Sequence, residues 1–159
     1  SEPGRGRTFR IYRPRGGADV RESVDDRART KRQGGSETVL VVEDEQSVLN
    51  LTRAMLEKLG YRVLAVKGAV HALRLAREYD GDIDLLLTDV VMPGMNGRDL
   101  AEQIIGIRPD LKCLYMSGYA VDVIAHKGIL EEGVHFIAKP FSLYDLAGRV
   151  RTVLEPREQ

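Results

Sequence analysis

Residues 85–97 read LLLTDVVMPGMNG: three leucines, Leu85 to Leu87, run into Asp89, and the chain then breaks at Pro93, Gly94 and Gly97. A short, continuous apolar run closed by turn residues is the pattern of a strand buried on both faces. Such a strand belongs to a parallel sheet covered by helices. The flanking sequence repeats the theme. Upstream, TVLVVED (38–44) is a β-branched strand, EQSVLNLTRAMLEKLG (45–60) places Val48, Leu51, Met55, Leu56 and Leu59 at helical spacing and stops at Gly60, YRVLAV (61–66) is a second strand, and GAVHALRLAREY (68–79) is a helix with Val70, Leu73, Leu75 and Ala76 near one face. Downstream come the helix GRDLAEQIIGIRP (97–109), the strand LKCLYMS (111–117), the helix AVDVIAHKGILEEG (120–133), the strand VHFIAK (134–139) and the helix SLYDLAGRVRTVLE (142–155). Five β-α units in strict alternation predict an α/β doubly wound fold, a five-stranded parallel sheet with right-handed crossovers and helices on both faces.

The chain ahead of this pattern is different in kind. Of its 159 residues, Ser1 to Ser36 carry 10 Arg/Lys against 5 Asp/Glu, and the remainder carries 14 against 19, so a formal charge of zero conceals a basic arm and an acidic domain. Residues 16–36 have almost no large apolar side chains and no sustained period, the composition of a flexible basic linker. Interspersed acids and the lack of aromatics favour a solvated tether over a nucleic-acid arm. The single cysteine, Cys113, is expected to fill a buried apolar position in a reducing setting. No apolar run reaches the roughly 18 residues of a membrane span, and the N-terminus lacks the core of a signal peptide, so no membrane contact and a cytoplasmic location are expected of this piece.

In a parallel sheet of this kind, chemistry gathers at the carboxyl ends of the strands. The first strand ends in Glu43-Asp44-Glu45, the third in Asp89, the fourth in Ser117-Gly118 and the fifth in Lys139-Pro140. Singly, each has an ordinary role as a cap, a turn residue or a solvated charge. Their coincidence at four strand ends of one sheet points to chemistry. Clustered carboxylates repel unless a cation neutralises them, and an all-oxygen set suits Mg2+. Asp89, anchored by the leucines, suits attack on phosphorus to give an acyl phosphate, with Lys139 and Ser117 steadying the phosphoryl oxygens.

These motifs, VLVVEDE, LLLTDVVMPGMNG, LYMSGYA and FIAKPF, together resemble the receiver domain of two-component response regulators, over residues 37–156. The resemblance implies a flavodoxin-like sheet of order 2-1-3-4-5 and assigns roles. Asp89 is the phosphoacceptor; Glu43, Asp44, Asp89 and the backbone carbonyl of Val91 hold Mg2+; Lys139 contacts the phosphoryl group; Ser117 and Phe136 form the switch. Glu43 stands where many members have Asp, Phe136 lacks a tyrosine hydroxyl, and Val91 offers no polar side chain to orient an attacking water, which implies slow loss of the phosphate. PGRGRTFRIYRPR, within residues 1–15, resembles the end of the ATP-binding domain of sensor histidine kinases, with Arg7 and Arg13 departing from its usual Thr and Leu. Together these imply the C-terminal receiver of a hybrid kinase. The expected partners are a histidine kinase domain, in cis or in trans, or a histidine phosphotransfer protein, with no nucleic acid. With the sequence ending just past the last helix, no DNA-binding output domain is expected.

His71, His126 and His135 lack the surroundings of a phosphorylated kinase histidine, and ATP-binding motifs are absent, so the piece is expected to take phosphate from a phosphohistidine and not from ATP. Two other functions stay open. An aspartyl phosphatase needs a second acid two residues after its nucleophile, where Val91 stands. A receiver-like module signalling by protein contact without phosphate is compatible with the fold. A flavin-binding domain of the same fold would need a phosphate-cradling loop after the first strand, which the sequence lacks.

Overall fold

The computed structural model describes residues 34–118 and 134–155. Within them run β1 (Thr38–Glu43), α1 (Gln46–Lys58), β2 (Arg62–Lys67), α2 (Ala69–Glu78), β3 (Leu85–Asp89), α3 (Gly97–Ile107), β4 (Lys112–Ser117), β5 (His135–Ala138) and α4 (Leu143–Leu154). All the pairings are parallel and the order is β2-β1-β3-β4-β5. The parallel sheet is the one expected from the alternation, and its order is the one implied by the resemblance to receiver domains. Residues 1–33 and the expected helix at 120–133 lie outside the described residues.

Alternation along each strand sorts the core into two layers, because successive side chains point to opposite faces. Val39, Val41, Leu85, Leu87, Leu114, Met116 and Ile137 pack beneath α1 and α4. Leu40, Val42, Leu86, Tyr115 and Phe136 pack beneath α2 and α3. Leu85, Leu86 and Leu87 are all fully buried, each worth about 1.5–3 kcal/mol of transfer free energy. The strand behind Asp89 is thereby held from both sides.

Two helix faces differ from the sequence expectation. In α1 the buried positions are Leu49, Thr52 and Leu56, whereas Leu51 is 56% exposed and Val48 half-buried. In α2 they are Ala69, Ala72 and Ala76, with Leu73 and Leu75 at the flanks and Val70 76% exposed. Alanines at i, i+3 and i+7 form the stripe against the sheet and bring α2 close to it, leaving the larger side chains at the margin. Gly60 closes α1 as expected, at φ 96°, in the left-handed region that suits glycine after a helix end. Cys113 is half-buried against the second layer, and burial pushes its thiol up to about 11.

Arg108, at the end of α3, ties the base of this layer together. Its guanidinium donates Nε to the Ala76 carbonyl at 2.8 Å, Nη1 to Gly81 at 2.7 Å and Nη2 to Tyr79. Carbonyls left over at the C-terminus of α2 and in the following loop are satisfied by one side chain. Arg108→Ala is expected to cost about 2 kcal/mol and lower Tm by roughly 8 °C, with Arg108→Lys recovering only part, as read by thermal and urea unfolding.

Candidate functional site

The carboxyl ends of β1, β3, β4 and β5 converge on one rim. Carboxylate oxygens of Glu43, Asp44 and Asp89 all lie within 4.8 Å of one another. Lys139, in the turn after β5, reaches into them: its Nζ donates to Glu43 Oε2 at 2.8 Å and to Asp89 Oδ2 at 2.7 Å. One ammonium thus bridges two of the three carboxylates. The group is therefore anionic and oxygen-rich.

Each side chain is placed by its strand. Glu43 is 1% exposed, and its second oxygen, Oε1, accepts the backbone N–H groups of Asp44 at 3.2 Å and Glu45 at 3.3 Å, so its carboxylate braces the turn from β1 into α1. Burial raises the Glu43 pKa, and the hydrogen bonds from Lys139 and from the backbone only partly offset it. For Lys139 the balance is the reverse: burial works against the ammonium, but its bonds to Asp89 and Glu43 outweigh burial and hold its pKa above the ordinary value. Asp89 ends β3 with its side chain 13% exposed and accepts the Val91 N–H on Oδ1 at 3.2 Å. Ser117, 3% exposed, stands one residue past Met116, the register partner of Asp89. The Ser117 carbonyl accepts the Lys139 N–H at 2.7 Å, fastening the end of β5 to that of β4.

Of the residues singled out from sequence, Glu43, Asp44, Asp89, Ser117 and Lys139 come together here. Val91 is 60% exposed in the loop beside Asp89. Glu45 stands outside the acidic group, its carboxylate accepting the Ser47 hydroxyl at 2.6 Å. Phe136 lies below the rim, 8% exposed and tilted against Tyr115 with ring centroids 5.4 Å apart. His71 is on an exposed helix surface with Nδ1 against the Lys67 carbonyl. Sequence reading missed the apolar wall of the site. An open cavity of about 480 Å3 beside Asp89 and Lys139 is lined by Val48, Leu51, Val91 and Phe141. The available signal was that Val48 and Leu51, three apart, share a face distinct from Leu49 and Leu56.

The family model for the response regulator receiver domain matches residues 39–151. The sensor kinase CckA of Brucella abortus is 36% identical over 165 residues, covering 99% of this chain and 18% of that kinase. The response regulator receiver protein CpdR of the same organism is 32% identical, covering 73% of this chain and 95% of CpdR. The chain thus spans under a fifth of the sensor kinase and, for comparison, 24% of the DNA-binding transcriptional regulator NtrC of Azospirillum brasilense. Among solved structures, the receiver domain from the hybrid histidine kinase CckA superposes with a TM-score of 0.63 at 36% identity, covering 74% of this chain and 99% of that domain. A response regulator receiver protein from Sinorhizobium medicae gives 0.66 at 27% identity, covering 77% and 98%. With its sheet order, its rim and its sequence all in agreement, the chain belongs to the response regulator receiver domains of two-component systems.

Proposed function

We propose that this chain is a working phosphoacceptor: Asp89 takes a phosphoryl group from a phosphohistidine and the domain switches conformation in response. The observation that carries this reading is the Lys139 ammonium bridging Glu43 and Asp89 at the edge of an open cavity. In the transfer, an Asp89 carboxylate oxygen attacks phosphorus, the P–N bond to the donor imidazole breaks, and an acyl phosphate forms. Little covalent work is left for other groups, so positioning and charge dominate. Lys139 pairs with the phosphoryl oxygens as it now pairs with Asp89, and the Ser117 hydroxyl offers a hydrogen bond at the neighbouring strand end.

The donor set fits a hard divalent cation, since three carboxylates with one ammonium between them form an oxygen-rich, anionic cluster. Asp44, Asp89, Glu43 and the Val91 carbonyl would hold Mg2+. When bound, it supplies charge neutralisation for the phosphoryl oxygens. The added phosphate brings about −1.5 to −2 charge beside Asp89. Lys139 and Ser117, drawn toward it, loosen the end of β4 and β5 and let Phe136 repack, which alters the face made by β5 and α4.

The parent is proposed to be a hybrid histidine kinase, divided here into the end of its ATP-binding domain (1–15), a basic linker (16–36) and the receiver (37–156). Supporting this, the relationship to the sensor kinase CckA runs over 99% of the chain, whereas the receiver family model begins only at residue 39. The partner is then a histidine kinase domain or a histidine phosphotransfer protein, met in the cytoplasm. Incubation with acetyl phosphate, with and without Mg2+, tests the reading by intact mass. The expected result is Mg2+-dependent gain of one phosphoryl group that hydroxylamine removes, as for an acyl phosphate. A folded sample that stays unlabelled would move the function to phosphate-independent protein binding.

A further inference from the structure

Gly97 is the first residue of α3, and it is buried. Its backbone φ lies outside the left-handed region, so no dihedral requirement explains a glycine there. Space does. A Cβ at this position would stand 2.1 Å from the Asp89 carbonyl oxygen and 3.1 Å from both the Asp89 carbonyl carbon and Thr88 Cγ2. The start of α3 is thus seated directly on the peptide unit that carries the acceptor.

The loop between them is closed on the same spot. Gly97 N–H donates to the Val90 carbonyl at 2.9 Å, Val90 N–H donates to Met116 of β4 at 3.0 Å, and the Thr88 hydroxyl donates to the Asp89 carbonyl at 3.1 Å. Asn96 caps the helix by accepting the Asp99 N–H at 2.8 Å. Behind Gly97, Leu100, Ala101 and Ile104 are fully buried, so α3 has nowhere to retreat. With the helix fixed, anything added at position 97 is accommodated at the strand end.

We propose that Gly97 is a positioning residue for phosphoryl acceptance: by bearing no side chain, it lets α3 set the height of the Asp89 backbone, and through it the bonds from Lys139 to Oδ2 and from Val91 N–H to Oδ1. This rests on the reading of Asp89 as the acceptor. A methyl group at 97 displaces the Asp89 peptide by roughly 1 Å, a misplacement that can cost about 100-fold in rate. The 2.7 Å contact to Lys139 and the adjoining Val91 backbone move with it.

The test compares Gly97→Ala with Gly106→Ala. Gly106 lies in the same helix, and a Cβ there meets nothing within 4 Å, so it controls for the change in helix propensity. Initial rates of labelling by acetyl phosphate are measured at saturating Mg2+ and divided by the folded fraction from circular dichroism. The rate per folded molecule is expected to fall about 100-fold in Gly97→Ala and to be unchanged in Gly106→Ala. A purely structural role would lower the folded fraction and leave the rate per folded molecule alone, which would overturn the proposal. If Gly97→Ala does not fold, the wild-type amide spectrum decides. With Mg2+ and beryllofluoride the Gly97 resonance is expected to shift together with those of Asp89 and Val91, and a stationary Gly97 beside a moving Asp89 would overturn the proposal. An inert wild type would instead overturn the acceptor reading and this proposal with it, whereas a labelled wild type matched by an equally labelled Gly97→Ala would overturn this proposal alone.

Discussion

Asp89→Asn is expected to abolish labelling by acetyl phosphate while leaving the domain folded. The carboxamide keeps the shape of the side chain but is no nucleophile at neutral pH, so the acyl phosphate cannot form. Its cost to the fold is small because two effects oppose each other. The charge-assisted bond from Lys139 at 2.7 Å is weakened, yet repulsion among three carboxylates within 4.8 Å is relieved, and Lys139 retains Glu43 at 2.8 Å. Stability should therefore change by no more than about 1 kcal/mol. Intact mass and a thermal melt of the same sample decide the outcome. Stoichiometric, hydroxylamine-sensitive labelling of the variant would place the acceptor on another residue.

How much of this was legible in the sequence depended on the distance over which each signal acts. The sheet was legible because its evidence is local: runs such as 38–44 and 85–89 announce doubly buried strands, and their alternation with helices leaves few topologies. Glu43, Asp89, Ser117 and Lys139 were legible as a set because a parallel sheet sends all its strand ends to one rim. That Lys139 closes on Glu43 across 96 residues of chain was not legible, since nothing local in Ala-Lys-Pro says where the ammonium goes.

The helix faces show a different limit. Hydrophobic size drew attention to Val70 and Leu51, both of which the fold leaves exposed, because close packing of α2 on the sheet selects for smallness at Ala69, Ala72 and Ala76. Leu51 is exposed for a reason tied to the site: with Val48 it lines the cavity beside Asp89. Gly97 reads from sequence as an ordinary turn residue after Pro93 and Gly94. Only the 2.1 Å approach of a would-be Cβ to Asp89 distinguishes it from them, and Gly94, at φ 83° with nothing near its Cβ, is the contrasting case of a glycine required by its dihedral angle.

Lys139→Ala should produce the second large effect, and its dependence on Mg2+ makes it diagnostic. Without the ammonium, Glu43 and Asp89 face each other with no intervening positive charge, and Glu43 is 1% exposed. Breaking a fully buried pair by removing one partner costs about 3–5 kcal/mol; here Asp89 borders an open cavity and Glu43 keeps two backbone N–H donors, so a loss of about 2 kcal/mol is expected in the absence of divalent cation. Mg2+ held by this acidic cluster would neutralise the same oxygens as Lys139 and so compete with it. Adding Mg2+ should raise the Tm of the variant by more than it raises that of the wild type, since a ligand that binds only the folded state stabilises it in proportion to its affinity. Labelling at saturating Mg2+ should still fall about 10–100-fold, because one fixed positive charge on the phosphoryl oxygens is gone. The amide of Phe136, which shifts on phosphorylation if β5 carries the switch, should stay still. A variant that gains less from Mg2+ than the wild type would mean that the acidic cluster does not hold the cation. An unchanged response at Phe136 would mean that the switch does not run through Lys139.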